Sequence, residues 1–421
     1  LSNKIRNGLW DGSDIKKITD VISLGIGGSH LGAELVVDAL SQNTNAAPKL
    51  HFIANPGNIE IKNKLKNLNA ETTLIIIISK TFSTLETVSN AQVFYQWLKI
   101  KLGEQKASRH LIAVTSSKSK ALKFGVNTEN IFNIWEWVGG RFSLWSSAGI
   151  PIALALGFDQ FEKLLLGAQK MDEHFFETPF EKNLPIIFAL ISIWNINFLG
   201  ISSNVILPYD TRLRCLPNYL QQLEMESNGK NIDIYGRAIS HKTAPIIFGQ
   251  AGTQAQHAFF QLMHQGTETI SSDFLVCAER TKSQNDDDNQ LAAHAFAQSE
   301  ILMTGQSKND VQKELLKDGI PDHRLKELLP HKVISGNKPS NTLLYHHLDA
   351  ETLGMLLALY EHKVVVQGNI WQINPFDQWG VETGKKLTQK LLKKFDQKHQ
   401  KKSSVSSTAG LILNYLNMRE K

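Results

Sequence analysis

A chain of 421 residues, 42% of them hydrophobic and 20% charged, has the composition of a globular protein with room for two domains or one large two-part body. The formal net charge of +5 is small for this length and gathers in one late run, Lys386 to Lys402, read as a solvated helix face and tail. With no helix-turn-helix, zinc-finger or RNP pattern beside it, that run gives no reason to expect nucleic acid as a partner.

The start, "LSNKIRNGLWDG", carries no signal-peptide core. Residues 1–154 then alternate short apolar runs with helical patterns, and the candidate strands are "VISLG" (21–25), "LHFIA" (50–54), "LIIII" (74–78), "HLIAVTS" (110–116) and "NIFNI" (130–134). This βαβ series predicts a parallel sheet with helices on both faces. The first strand runs into "GIGGSHLG", where Gly25, Gly27 and Gly28 allow close backbone approach and Ser29 can cap the next helix. A dinucleotide site is the obvious rival, but His30 stands where the third fingerprint glycine belongs, and the second strand ends in Asn55-Pro56 without the ribose-binding acid.

The unbroken hydrocarbon of Leu74 to Ile78 suits a central parallel strand covered on both faces. It gives way to Ser79, Lys80, Thr81, Ser83 and Thr84, and Ser83-x-x-Glu86 has the form of a capping box for a helix running towards Trp97. Hydroxyls, a lysine and a helix N-terminus together suit a phosphate, although the same residues also serve as ordinary caps.

A second α/β series follows. Leu184 to Leu199, the longest apolar stretch, is interrupted by Pro185, Ser192, Asn195 and Asn197; too short and polar to cross a membrane, it reads as a buried helix. Strands are expected at "NVILPY" (204–209), "IDIYG" (232–236), "APIIFG" (244–249) and "SDFLVCA" (272–278). Two such layers imply a cleft where ligands sit at strand carboxyl ends. Cys215 and Cys277 have no metal-ligand spacing, which argues against a disulfide framework or zinc site and for the cytoplasm.

Between those strands, "LPNYLQQLEMESNG" (216–229) reads as a helix with a left-handed stop at Asn228-Gly229. Gln222 and Glu226 share one face, and a glutamate in the last turn opposes the helix dipole, which favours a base; taken alone it reads more readily as an ordinary surface acid than as a base. "AGTQAQHAFFQLMHQG" places His257, Gln261 and His264 on one stripe after a Thr253-x-x-Gln256 capping box, with Gly266 as the stop; no carboxylate accompanies the histidines as a metal site would want. The acidic run 286–288 reads as a solvated loop and helix start. Late in the chain, Gln378, Glu382 and Lys385 fall at i, i+4 and i+7, Val381 and Leu387 to Phe395 are expected to form the buried side, and Gly380 and Gly384 suggest that something approaches closely. After Lys385 the chain turns basic and then serine-rich and ends in "LILNYLNM", an arm expected to pack elsewhere on an assembly.

"EWVGGRFSLWSSAGI" (136–150) and "INPFDQWGVETGKK" resemble the two signature motifs of the glucose-6-phosphate isomerase family, and "GIGGSHLG", "SKTFSTLET", "EMESNGK", "GTQAQHAFFQLMHQGT" and "YEHKV" occur in the family's order. The resemblance spans essentially the whole chain. It implies an α/β fold of two sugar-isomerase (SIS-type) domains, each a mainly parallel sheet sandwiched by helices, over 1–154 and 155–385, with a C-terminal helical arm over 386–421. The implied reaction is the interconversion of glucose 6-phosphate and fructose 6-phosphate. Carried over residue by residue, the phosphate cradle falls on Ser79, Lys80, Thr81 and Thr84, with Gly28 and Ser29 beside the sugar. Glu226 becomes the base, supported by Gln222; His257 and Lys385 open the ring, Arg141 faces the enediolate, and Gln378 helps bind phosphate. The family also implies a homodimer in which His257 is lent to the neighbour's site.

Such an isomerisation needs no metal or other cofactor, only a carboxylate to move the proton, a histidine and lysine for the ring, and an arginine for the oxyanion. Departures from the family are Gln250-Ala251 in place of a Glu-Pro pair, Thr383 in place of leucine, and no counterpart at the front to the family's N-terminal helical segment. The rivals are another sugar-phosphate isomerase, acting on a mannose or glucosamine phosphate, and a non-catalytic sugar-phosphate sensor; no output module for a sensor is visible before Ser23 or after Leu416.

Overall fold

A computed structural model describes residues 1–10, 16–41, 48–279, 287–396 and 407–419. Leu1–Pro375 form one compact unit, whose described residues build two wholly parallel sheets. The first has the order β2-β1-β3-β4-β5, from Asp20–Leu24 (β1), Lys49–Ile53 (β2), Thr73–Ile78 (β3), Leu111–Thr115 (β4) and Ile131–Asn133 (β5). The second has the order β7-β6-β8-β9, from Ser203–Tyr209 (β6), Ile246–Gly249 (β7), Ser271–Cys277 (β8) and Ser340–Tyr345 (β9).

β3 shows why its sequence lacks polar alternation. All six of its residues are buried; Ile75 and Ile77 pack with Phe94 and Leu98 of the helix Leu85–Leu102, while Leu74, Ile76 and Ile78 pack on the opposite face with Ile5 and Leu154. Each buried isoleucine contributes roughly 1.5–3 kcal/mol, so both faces are fixed strongly. A third cluster joins the sheets: Leu35 and Val36 from the helix after β1 meet Ile206 and Leu275 of the second sheet and Leu353 and Leu357 of the long helix Ala350–Ile370. In the first sheet the order reverses between β1 and β3, and that is where an open parallel sheet receives a ligand.

Phe376–Lys421 form the second unit, with helices Trp379–Asp396 and Ser407–Arg419 and an edge-on contact between Phe395 and Tyr415. No helix among the described residues is long and apolar enough to cross a membrane.

Several local expectations are corrected. Residues 232–236 form no strand, only a bridge from Ile232 to Ala238, because the Asp233 side chain accepts the backbone N–H groups of Tyr235 and Arg237 and closes a turn instead. β9 went unread, since it has only half-buried and exposed positions. The apolar stretch 184–199 packs Phe188, Ala189 and Ile193 inward but leaves Leu184, Leu190, Trp194 and Phe198 exposed, and it changes from α- to π-helix at Trp194. Within the second unit Val381, Leu387 and Leu392 are exposed rather than buried, and a Cβ on Gly380 or Gly384 would meet open space.

Candidate active site

The Gly turn after β1 and the hydroxyl turn after β3 flank the reversal of the first sheet. Gly27 has φ +58, and a Cβ there would come within 2.8 Å of Gln222 Nε2. At Gly28 a Cβ would lie 2.0 Å from the carbonyl oxygen of Gly140, so this turn is pressed against the short turn Gly140–Phe142 that carries Arg141. Ser143 Oγ donates to the Gly28 carbonyl across 3.4 Å. Ser29 does not cap the following helix; His30 occupies that position, without a capping side-chain hydrogen bond.

In the hydroxyl turn, Ser79 Oγ and Thr84 Oγ1 lie 3.1 Å apart, and Thr81 Oγ1 and Ser83 Oγ 2.8 Å apart. Thr84, not Ser83, is the residue before the helix Leu85–Leu102, and its side chain makes no capping bond because the hydroxyls pair with one another. Lys80 donates to the carbonyls of Glu136 and Val138, while its own carbonyl accepts from Thr115 and Ser116. The lysine therefore braces the turn against the loop leading to Arg141. The first N–H groups of that helix have no partner within it and give the turn anion-binding character.

Residues 216–229 do not form the uniform helix read from sequence. Leu216–Leu220 is α-helical, Gln221–Glu226 is a π-helix, and Gly229 keeps an ordinary negative φ. Inserted π turns recur at functional sites. Here Gln222 Nε2 donates to Glu226 Oε2 across 2.9 Å, and Arg141 Nη1 stands 3.4 Å from the same oxygen. Arg141, with only 2% of its side chain exposed against 22% for Glu226, is pinned by bonds to Ser227 Oγ (2.6 Å) and to the carbonyl of Pro375. Lys230 donates to the carbonyls of Glu226 and Ser227 and braces the end of the turn.

Nearby, Glu361 accepts hydrogen bonds from Trp145 Nε1 (2.8 Å) and the Tyr219 hydroxyl (3.0 Å), tying the loop after Arg141 to the helix that leads into the π turn. Burial pushes its carboxyl up to about 7, against the pull of those two donors. Sequence reading gave no role to Glu361, Ser227 or Lys230, although they lie in the motifs "YEHKV" and "EMESNGK"; a glutamate and a lysine inside the apolar run "LALYEHKVVV" were the available signal for the first.

The structure thus brings Gly28, Arg141, Gln222 and Glu226 together and sets Ser79, Lys80, Thr81 and Thr84 in one turn beside them in the sheet. His257 is exposed on Gly252–Ala258, a helix whose N-cap is Ala251 rather than Thr253; after a break at Phe259 the chain continues as a second helix, Phe260–Gln265, that stops at Gly266 as expected. Gln378 and Lys385 lie just before and within the helix Trp379–Asp396 of the second unit, Lys385 exposed. Both cysteines are free, and burial pushes the Cys215 thiol up to about 12. Among the described residues no cluster of histidine, cysteine or carboxylates could hold a metal ion; the acidic run 286–288 falls partly outside them.

A family profile described as phosphoglucose isomerase matches residues 1–412. A glucose-6-phosphate isomerase of Chlorobium luteolum is 45% identical over all of this chain and 76% of its own length, and one of Methylococcus capsulatus is 44% identical over 100% and 77%. The chain therefore spans about three quarters of these relatives. The solved structure of a glucose-6-phosphate isomerase from Chlamydia trachomatis is 32% identical with a TM-score of 0.80, covering 96% of this chain and 73% of that one. On the strength of a match along nearly the whole sequence, with the fold and motif order to go with it, this chain belongs to the phosphoglucose isomerase family.

Proposed function

We propose that Glu226 is the base of the reaction this enzyme catalyses, the interconversion of glucose 6-phosphate and fructose 6-phosphate. The observation that carries this role is the convergence of Gln222 and Arg141 on one oxygen of the half-buried Glu226 carboxylate. One oxygen is held, and the other is left to take a proton from one sugar carbon and return it to its neighbour. Arg141 cannot be deprotonated, and its fixed guanidinium stabilises the enediolate oxygen through charge-assisted hydrogen bonds.

The hydroxyl turn of Ser79, Lys80, Thr81 and Thr84 grips the phosphate, with Gly28 and Ser29 beside the sugar and Gln378 assisting. Binding energy from the phosphate orients the distant reacting carbons. His257 and Lys385 exchange protons with the ring oxygen and hydroxyl to open the ring. Exposure of His257 fits its service to the site of a second copy, and the exposed apolar residues Leu184, Leu190, Trp194 and Phe198 fit a homodimer contact. Two free cysteines fit a reducing, cytoplasmic setting. The chemistry needs no metal or other cofactor.

The test is Glu226→Gln, which keeps shape and most hydrogen bonding. It should lower kcat by ~10²–10⁴ while leaving sugar-phosphate affinity intact. A near-parental kcat would remove Glu226 from the role of base.

A further inference from the structure

Two residues before Glu226, inside the π turn, Glu224 points the other way. Its Oε2 accepts from Lys363 Nζ across 2.8 Å, and each side chain is only 2% exposed. Lys363 belongs to the long helix Ala350–Ile370. Its ammonium also acts electrostatically on Asp273 of β8, a carboxyl that burial raises and that Asn204 of β6 and Asn341 of β9 hold at 3.0 and 2.8 Å. The same long helix takes hold of the chain just past Glu226, where Asn228 Nδ2 donates to the Val364 carbonyl and to Gln367 Oε1, both at 3.1 Å.

We infer that the buried Glu224–Lys363 ion pair is a positioning device that holds the π turn in register, so that Glu226 stands at Arg141 and Gln222. A π turn is rare and occurs mostly as a single-turn insertion within an α-helix, so its register depends on the contacts around it. Relaxation to α geometry would rotate every side chain beyond the insertion, Glu226 included. The ion pair holds the turn from within and Asn228 holds the residues after it, so the base is fixed on both sides along the chain. Both side chains are buried, so they act through Glu226, and the inference rests on Glu226 being the base.

Glu224→Met/Lys363→Met removes both charges together, an exchange that buried ion pairs often tolerate without loss of stability. The melting temperature and the KM for fructose 6-phosphate should stay close to the parental values while kcat falls ~100-fold, the scale expected when a catalytic group is displaced by about 1 Å. Parental kcat in this folded variant would overturn the inference. Should the double variant not fold, Glu224→Gln retains an acceptor for Lys363, and kcat should fall ~10-fold at unchanged KM; parental kcat there would overturn the inference equally. Glu226→Gln run beside them separates the two claims. If it keeps parental activity, the base assignment fails; if it is inactive while the folded double variant is fully active, only the positioning role fails.

Discussion

Gly28→Ala tests how tightly the two active-site turns are fitted. The new Cβ would stand 2.0 Å from the Gly140 carbonyl oxygen, 2.1 Å from its carbon and 2.5 Å from the Arg141 nitrogen, where real Cβ atoms essentially never approach within 3.0 Å. All three atoms are backbone, so no side chain can swing away. The turns must part by about 1 Å, and Arg141 moves with its own nitrogen. Overpacking of this kind costs roughly 1–3 kcal/mol of stability, and a displacement of about 1 Å at a reacting group costs on the order of 10²-fold in rate. A coupled spectrophotometric assay with fructose 6-phosphate should therefore show kcat down ~100-fold, with the chain still folded at the assay temperature. A parental kcat and an unchanged melting temperature would refute both the rigid contact and the placement of Arg141 that depends on it.

If the hydroxyl turn after β3 grips the phosphate, Thr81→Ala should weaken binding of a phosphorylated sugar-acid inhibitor by roughly 1.5–3 kcal/mol, read by titration calorimetry; equal affinity removes the assignment. His257→Ala should impair turnover of the closed-ring sugar far more than that of an open-chain substrate, and an equal loss on both would make it a general binding residue. The folded value of about 7 for Glu361 lies above its ordinary 4.5, so between those limits the folded chain keeps a proton that the unfolded chain has released. Stability then falls as pH rises through that window, by at most about 3 kcal/mol. Glu361→Gln, which imitates the protonated form, should gain on the parent in melting temperature from pH 5 to pH 8; a difference that does not change with pH contradicts this.

The parallel sheets were legible because their evidence is local: apolar runs such as 74–78, buried on both faces, separated by helical patterns. Gln222 and Glu226 could be paired from their spacing, and the structure bonds them. The π turn could not be read, because an inserted residue leaves no signal in a helical pattern; it is decided by the ion pair between Glu224 and Lys363, 139 residues apart. The bracing of Arg141 by Ser227 and Pro375 is likewise a matter of tertiary contact, 86 and 234 residues along the chain. Capping boxes at Ser83 and Thr253 misled for the opposite reason. The motif is a local rule, and at the first site the hydroxyls bond to each other instead of to the helix.

Isotope exchange in heavy water shows whether one carboxylate, Glu226, carries the proton between adjacent sugar carbons. A carboxyl that holds the proton for a time exchanges it with solvent, so the parent should place deuterium at carbon 2 of glucose 6-phosphate or carbon 1 of fructose 6-phosphate. Glu226→Gln should lose isomerisation and deuterium incorporation together. Isomerisation near the parental rate with the same incorporation in Glu226→Gln would show that another group is the base.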